Sequence, residues 1–178
     1  MKFIDDAGPL SVGARMKQLF AGALSVLVGG SLFAQSPEWI WFRKTDAADT
    51  CFFRKTFTLD TAATAGELVA TGDDSVRVYL NGERVITAND WSQGHRAEVK
   101  AKLRVGRNTI AIRSENADGS PAGALASLVV TTAAGQQTVV TDATWKAEDR
   151  ELPGWNQVTL DNAAWGTATS LGKVGIGP

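Results

Sequence analysis

The chain has 178 residues, of which 44% are hydrophobic, and this is the size and composition of about one globular domain with a substantial core. Its formal net charge is −1, so it lacks the basic excess with which proteins bind nucleic acids or anionic membranes. Six tryptophans are many for this length, and they suit either a sandwich core or an aromatic binding surface. Composition therefore favours one globular domain that binds no nucleic acid.

The N-terminal segment, residues 1–34, has the pattern of a secretory signal peptide. Lys17 precedes an apolar run of 16 residues that ends at Ala34, shorter than the ~20 residues of a stable membrane anchor. Met16 is the predicted start, Ala34 is the predicted cleavage residue, and an uncleaved anchor is the alternative. We therefore expect export to the periplasm, the cell surface or the medium, with residues 35–178 as the mature domain.

After residue 34 the sequence predicts short strands separated by turns, with no helical periodicity. The predicted strands are 39–42, 52–59, 67–71, 75–80, 83–87, 97–103, 109–114, 124–132, 138–141 and 143–147. Strands at this spacing with no helices between them indicate an antiparallel sandwich, and a jelly roll is the commonest way to protect its edges. The predicted fold is therefore an all-β, antiparallel jelly-roll β-sandwich.

The clearest turn signal is Asn81–Gly82, which supplies the two positive-φ residues that a type I′ hairpin requires. This turn predicts that Val78 lies opposite Val85 on the core face. It also predicts that Tyr79 lies opposite Arg84 on the other face.

The chain offers few candidates for catalysis. His95, the single histidine, lies in a polar loop and is interpreted as a surface residue. The adjacent Asp73 and Asp74 are poorly placed for the separated acid and base of glycoside hydrolysis, and they are interpreted as turn residues. Cys51 is the single cysteine, so no intrachain disulfide can form, and it is predicted to be buried. We therefore expect no enzymatic activity.

A polar loop around Trp91 is the best candidate for binding. The indole can stack on a sugar ring, while Asn89 and Asp90 can bind sugar hydroxyls, and Asn116 in a later loop is a further candidate ligand. The alternative is that Trp91 plugs one end of the sandwich.

The other tryptophans are predicted to have structural roles. Trp39 and Trp41 share a face by strand alternation and are assigned to the core together with Trp145. Trp155 and Trp165 are predicted to cover the sandwich from an irregular C-terminal segment.

Several motifs, taken in order, resemble a known family. They are Pro-Glu-Trp-Ile-Trp at 37–41, Phe-Arg-Lys-Thr-Phe at 53–57, Gly-Asp-Asp-Ser-Val at 72–76 with the Asn-Gly turn, Leu-Arg-Val-Gly-Arg-Asn at 103–108, Asp-Ala-Thr-Trp-Lys at 142–146 and Asp-Asn-Ala-Ala-Trp-Gly at 161–166. This order is similar to galactose-binding-like jelly-roll domains. It most resembles the accessory domain of bacterial α-L-rhamnosidases and N-terminal modules of exported planctomycete-type proteins.

The resemblance implies a non-catalytic carbohydrate-binding module, and a structural spacer domain without sugar binding is the alternative. In either case the partner is a glycan or a neighbouring part of a larger exported protein, which the linker-like end at 172–178 also suggests.

The resemblance also raises calcium, because rhamnose-binding members of related domains use it. Oxygen ligands could come from Asp46 and Asp49, or from Asn116 and Asp118, while solvated loop carboxylates are the alternative.

Overall fold

The computed structural model describes residues 35–42, 49–117 and 122–174. Within them lie twelve strands and one 3-10 turn. The strands are β1 Glu38–Trp41, β2 Asp49–Leu59, β3 Ala63–Asp73, β4 Ser75–Leu80, β5 Glu83–Ala88, β6 His95–Glu98, β7 Gly106–Asn116, β8 Gly123–Thr132, β9 Gly135–Val140, β10 Lys146–Glu148, β11 Gly166–Thr167 and β12 Thr169–Lys173, and the 3-10 turn is Lys100–Lys102. In this described part of the chain no helix has the length and apolarity to cross a membrane. The predicted signal peptide, residues 1–34, lies outside the described residues.

The strands form two antiparallel six-stranded sheets. Sheet A has the order β12-β1-β8-β3-β6, with β9 also paired to β8, and sheet B has the order β11-β10-β2-β7-β4-β5. Alternating apolar residues on the facing surfaces, such as Val76, Val78 and Leu80 of β4, form the core between the sheets. The predicted all-β antiparallel sandwich is confirmed.

Large aromatic side chains fill this core. Trp41 packs against Phe53 with 5.9 Å between ring centroids, and Trp145 is fully buried, its Nε1–H donating to the Val140 carbonyl at 2.7 Å. That hydrogen bond satisfies the polar end of a buried indole. Cys51 is also fully buried in the core, so its predicted structural role is confirmed.

The predicted hairpin forms, with one change of register. Both turn residues have positive φ, 53° and 88°, and Tyr79 pairs with Arg84 as predicted. Val78, however, pairs with Ile86, because Val85 is an extra residue that bulges from β5. The predicted pairing of Val78 with Val85 is therefore wrong, since turn chemistry fixes register next to the turn but does not reveal a bulge beyond it.

Two strand predictions also change. The segment predicted as a strand at 97–103 ends as a strand at Glu98 and continues into the 3-10 turn. The strand predicted at 143–147 is not the last, because β11 and β12 follow it and β12 pairs with β1. The sequence of β12, Thr-Ser-Leu-Gly-Lys, has no apolar alternation, so its strand conformation depends on pairing with β1.

The outer face of sheet B is covered by the irregular segment 149–165. Trp155 packs edge-on against Phe52 and Tyr79, with ring centroids 5.0 and 5.2 Å apart, and Trp165 joins the same apolar cluster. Both tryptophans are 5% exposed. Their predicted role as a cover over the sandwich is confirmed.

A buried arginine ties this cover to the sheet. Arg54 on β2 is fully buried, and its guanidinium donates to the carbonyls of Trp155 at 2.5 Å and Gln157 at 2.9 Å while lying 5.8 Å from the Trp165 ring centroid. Burial, and then the nearby charge of Arg107, lower the pKa of Arg54. The arginine fork thus supplies donors to carbonyls that have no strand partner.

Candidate functional site

The outer face of sheet A carries a row of residues that crosses four strands. Leu125 of β8 lies opposite Thr71 of β3. Since Ile40 of β1 pairs with Ala124, the preceding residue of β1, Trp39, lies beside Leu125. In the same way Ala70 pairs with His95 of β6, so Gly94 lies beside Thr71. The flanking alanines of β8 point into the core, so Leu125 points outward. This row forms the floor of a surface groove.

The loop between β5 and β6 forms the wall of that groove. Residues Trp91 to Gly94 line one side, Val174 lines the rim, and the cavity has a volume of about 490 Å³. Trp91 is 52% exposed, whereas Trp39 beneath it is 5% exposed. We call this cavity, with its floor of Trp39, Leu125 and Thr71, the Trp91 groove.

Hydrogen bonds to Asp90 organise the wall. Its carboxylate accepts from the Ser92 N–H at 2.9 Å, the Ser92 hydroxyl at 2.6 Å and Gln93 Nε2 at 2.6 Å. These bonds, the one from the Ser92 hydroxyl foremost, hold the pKa of Asp90 below its ordinary value. The Asp90 carbonyl accepts from Thr71 Oγ1 at 3.1 Å and lies 3.3 Å from His95 Nε2. The loop is thus closed on itself and attached to the sheet.

The structure separates the residues predicted to bind a ligand. Trp91 lines the groove and is far too exposed to be a plug of the sandwich. Asn89 is exposed in the same loop but does not line the groove, and Asp90 directs its carboxylate to its own loop. Asn116 is 1% exposed at the end of β7 and also lies outside the groove lining.

The candidate calcium ligands form no metal centre in the described part of the chain. Asp49 lies opposite Asn116 in the pairing of β2 with β7, and its carboxylate accepts from the Thr50 N–H at 2.7 Å. Asp46 and Asp118 lie outside the described residues. Elsewhere in that described part no three His, Cys, Asp or Glu side chains are grouped as metal ligands.

Sequence reasoning missed the floor of the groove. Trp39 was assigned to the core with Trp41, but Trp41 packs in the core cluster whereas Trp39 lies outside that cluster and lines the groove. Leu125 and Thr71 carried no sequence signal, because strand alternation shows that two residues face outward but not what lies above them. Gln93 and Ser92 stood in the candidate loop without an assigned role.

Comparison with known proteins shows which proteins are similar in sequence to this chain. No protein-family model matches the chain. Over 156 residues it is 30% identical to an α-L-rhamnosidase of Streptomyces avermitilis, a match that covers 81% of this chain and 15% of the enzyme. The chain is homologous to the accessory region of that rhamnosidase. It spans less than one sixth of the length of the enzyme, so the resemblance concerns one region and not the catalytic protein as a whole.

Solved structures agree with this rhamnosidase-type assignment. The crystal structure of Streptomyces avermitilis α-L-rhamnosidase complexed with L-rhamnose has a TM-score of 0.73 and 30% identity, over 82% of this chain and 16% of that chain. A lectin from Pleurotus ostreatus in complex with GalNAc has a TM-score of 0.71 and 27% identity, over 78% of this chain and 44% of that chain. The predicted resemblance to galactose-binding-like domains of rhamnosidases is confirmed.

Proposed function

We propose that this domain is a non-catalytic carbohydrate-binding module and that a sugar binds in the Trp91 groove. The half-exposed indole of Trp91, standing above a floor of Trp39 and Leu125, carries the proposal. An aromatic face stacks on the C–H face of a sugar ring, and the Ser92 hydroxyl and the Gln93 amide stand beside it as partners for sugar hydroxyls.

The relatives support the same proposal. The chain is similar to one region of a rhamnosidase and to a lectin that was crystallised with a sugar. The match to 15% of the enzyme supports an accessory role. The His95 ring nitrogen lies 3.3 Å from the Asp90 carbonyl, so the histidine is engaged with its own loop instead of with a serine nucleophile, which supports a non-catalytic role.

A glycan array followed by affinity gels would test the proposal. We expect Trp91→Ala to weaken retention by any glycan that binds the wild type at least several-fold, with a nearly unchanged melting temperature. Trp91→Phe, which keeps an aromatic face, should retain most of the binding. If Trp91→Ala binds a confirmed glycan as tightly as the wild type, the sugar site lies elsewhere. A chain that binds no glycan on the array would support the alternative role as a structural spacer.

We also propose that the domain is exported. The support is the sequence pattern of residues 1–34, and cleavage after Ala34 should give a product that begins at Gln35. N-terminal sequencing of exported protein would check this. Full-length protein retained in the membrane would contradict it.

A further inference from the structure

We infer that Asp90 is the specificity-determining residue of the Trp91 groove, because its carboxylate fixes the loop that carries Trp91 and makes the groove reject ligands that bear a carboxylate or sulfate group. The inference rests on the proposed function. It narrows the expected ligands of the groove to uncharged glycans.

The first part of the argument is the position of Asp90 in the loop. Its carboxylate accepts hydrogen bonds from the two residues that follow Trp91, namely Ser92 and Gln93. The backbone of Trp91 is therefore enclosed by this turn, and the Asp90 carbonyl is attached to Thr71 on β3. An aspartate can accept from all three donors at once, whereas a neutral side chain of the same shape, asparagine, offers one oxygen and one NH₂ donor.

The second part is charge. The residues that line the groove are all uncharged, and Asp90 is bonded directly to two of them. Two cations of the same sheet are directed elsewhere, since Arg96 pairs with Glu67 and Lys173 lines a separate polar pocket. An anionic ligand in the groove would thus meet a fixed negative charge directly behind Ser92 and Gln93 of the wall, and no lysine or arginine among the described lining residues would offset it.

The protein contains its own probe for this charge. All six tryptophans lie in the described ranges, and Trp91 is 52% exposed while the other five are at most 5% exposed. Collisional quenching of tryptophan fluorescence by ions in solution therefore reports almost entirely on Trp91. Iodide, caesium and neutral acrylamide differ in charge, so comparing them separates the electrostatic field at the indole from its exposure.

The test compares the wild-type chain with Asp90→Asn at low ionic strength and at about pH 8, well above the ordinary aspartate pKa of about 3.9. We expect Asp90→Asn to raise the iodide quenching constant about twofold and to lower the caesium constant, with acrylamide unchanged, as befits loss of a unit charge a few Å away in water. About 1 M salt should abolish the difference. Asp60→Asn, which removes an exposed carboxylate in the turn between β2 and β3, is the matched control and should change nothing.

Equal iodide and caesium quenching in the wild type and in Asp90→Asn would overturn the inference. If acrylamide quenching also changes in Asp90→Asn, the loop has moved, and Asp90→Glu then decides. An iodide quenching constant of Asp90→Glu that returns to the wild-type value supports the inference. A constant that stays at the value of Asp90→Asn overturns it.

Affinity gels that contain neutral galactan or polygalacturonate test the ligand class itself. We expect Asp90→Asn to gain retardation in polygalacturonate relative to galactan. A wild type that is retarded more by polygalacturonate than by galactan would overturn the inference. If neither gel retards the chain and the array is negative, the proposed function fails, but the quenching result still decides whether Asp90 sets the charge at the groove.

Discussion

The two outer faces of the sandwich each carry a tryptophan-bearing irregular segment, and the two segments differ sharply in burial. On sheet B, Trp155 and Trp165 are 5% exposed beneath the segment 149–165. On sheet A, Trp91 is 52% exposed at the wall of a groove. One tryptophan loop is closed on its sheet and the other is open to solvent.

The difference arises from what the strands beneath each segment supply. Sheet B offers Phe52 and Tyr79 as aromatic partners, and Arg54 donates to carbonyls of the covering segment. The loop of Trp91 has instead a hydrogen-bonded turn of its own, centred on Asp90, whose carbonyl contacts Thr71 of β3 and His95 of β6. A loop held by its own turn keeps an indole exposed without collapsing onto the sheet, which is the arrangement a binding surface requires.

Replacing a tryptophan with alanine on each face gives the largest contrast in stability. Trp155→Ala should lower the free energy of unfolding by about 3–5 kcal/mol, the usual loss for a buried tryptophan that leaves a cavity. Trp91→Ala should change it by less than about 0.5 kcal/mol, because a half-exposed indole buries little surface. Urea unfolding of both variants at one pH measures the two values. Similar losses for the two variants would show that Trp91 is a packing residue.

Arg54 is the next test of the comparison. Arg54→Met should fill the space but remove the guanidinium donors from the carbonyls of Trp155 and Gln157, of which the second keeps the Leu160 N–H at 3.3 Å, and it should destabilise the domain by about 2–3 kcal/mol. Arg54→Lys should recover part of this loss, since an ammonium keeps donors but not the planar fork. Thermal unfolding of the three proteins checks the order wild type, Arg54→Lys, Arg54→Met. A methionine variant as stable as the wild type would contradict the role of the arginine.

Much of this architecture could be predicted from the sequence. Patterns of apolar residues located ten of the twelve described strands, all except β11 and β12, and the Asn-Gly turn located the central hairpin, because these signals are local. The predictions that failed concern pairing between strands. The bulge at Val85 and the pairing of β12 with β1 depend on partners far along the chain, and no local pattern encodes them.

The candidate site was predicted only in part. The loop around Trp91 was identified by its composition, but its hydrogen bonds were not, since the sequence alone did not show that the carboxylate of Asp90 would turn to Ser92. The floor beneath it was missed because Trp39 and Trp41 share strand parity while only Trp41 joins the core. Exposure of a side chain depends on what packs above it, and that requires the tertiary structure.

Replacing one glycine tests how firmly segment 149–165 is held on sheet B. Gly82 has φ of 88°, and a Cβ there would overlap the amide end of the Gln157 side chain in the covering segment. Gly106 has a similar φ of 86° but has nothing within 4 Å of its would-be Cβ. Both alanine variants should lose about 1–2 kcal/mol from backbone strain, and Gly82→Ala should lose slightly more because the exposed amide end of Gln157 must move aside. Equal losses in urea unfolding would show that the segment yields freely.

The smallest expected effect is a pH dependence of the open loop. Hydrogen bonds from Ser92, first of all from its hydroxyl, and from Gln93 lower the pKa of Asp90, so the ionised carboxylate is favoured in the folded protein. A lowered pKa means that the organised loop is fully present above the ordinary aspartate pKa of about 3.9 and is lost as pH falls through the lower folded value. We therefore expect the ratio of iodide to caesium quenching of Trp91 to stay level from about pH 8 to pH 5.

Below about pH 4 the ratio should rise in both proteins as carboxylates are protonated, and the wild-type ratio should converge on that of Asp90→Asn measured at the same pH. The measurement is made in a His95→Gln background, because the His95 ring lies 3.3 Å from the Asp90 carbonyl and its charge also lowers the pKa of Asp90. Near-ultraviolet circular dichroism must show that the buried tryptophans keep their packing over this range. A midpoint at or above the ordinary value would mean that the carboxylate gains nothing from its three donors, and the loop of Trp91 would then be held through the Asp90 carbonyl, which accepts from Thr71, instead of through the carboxylate.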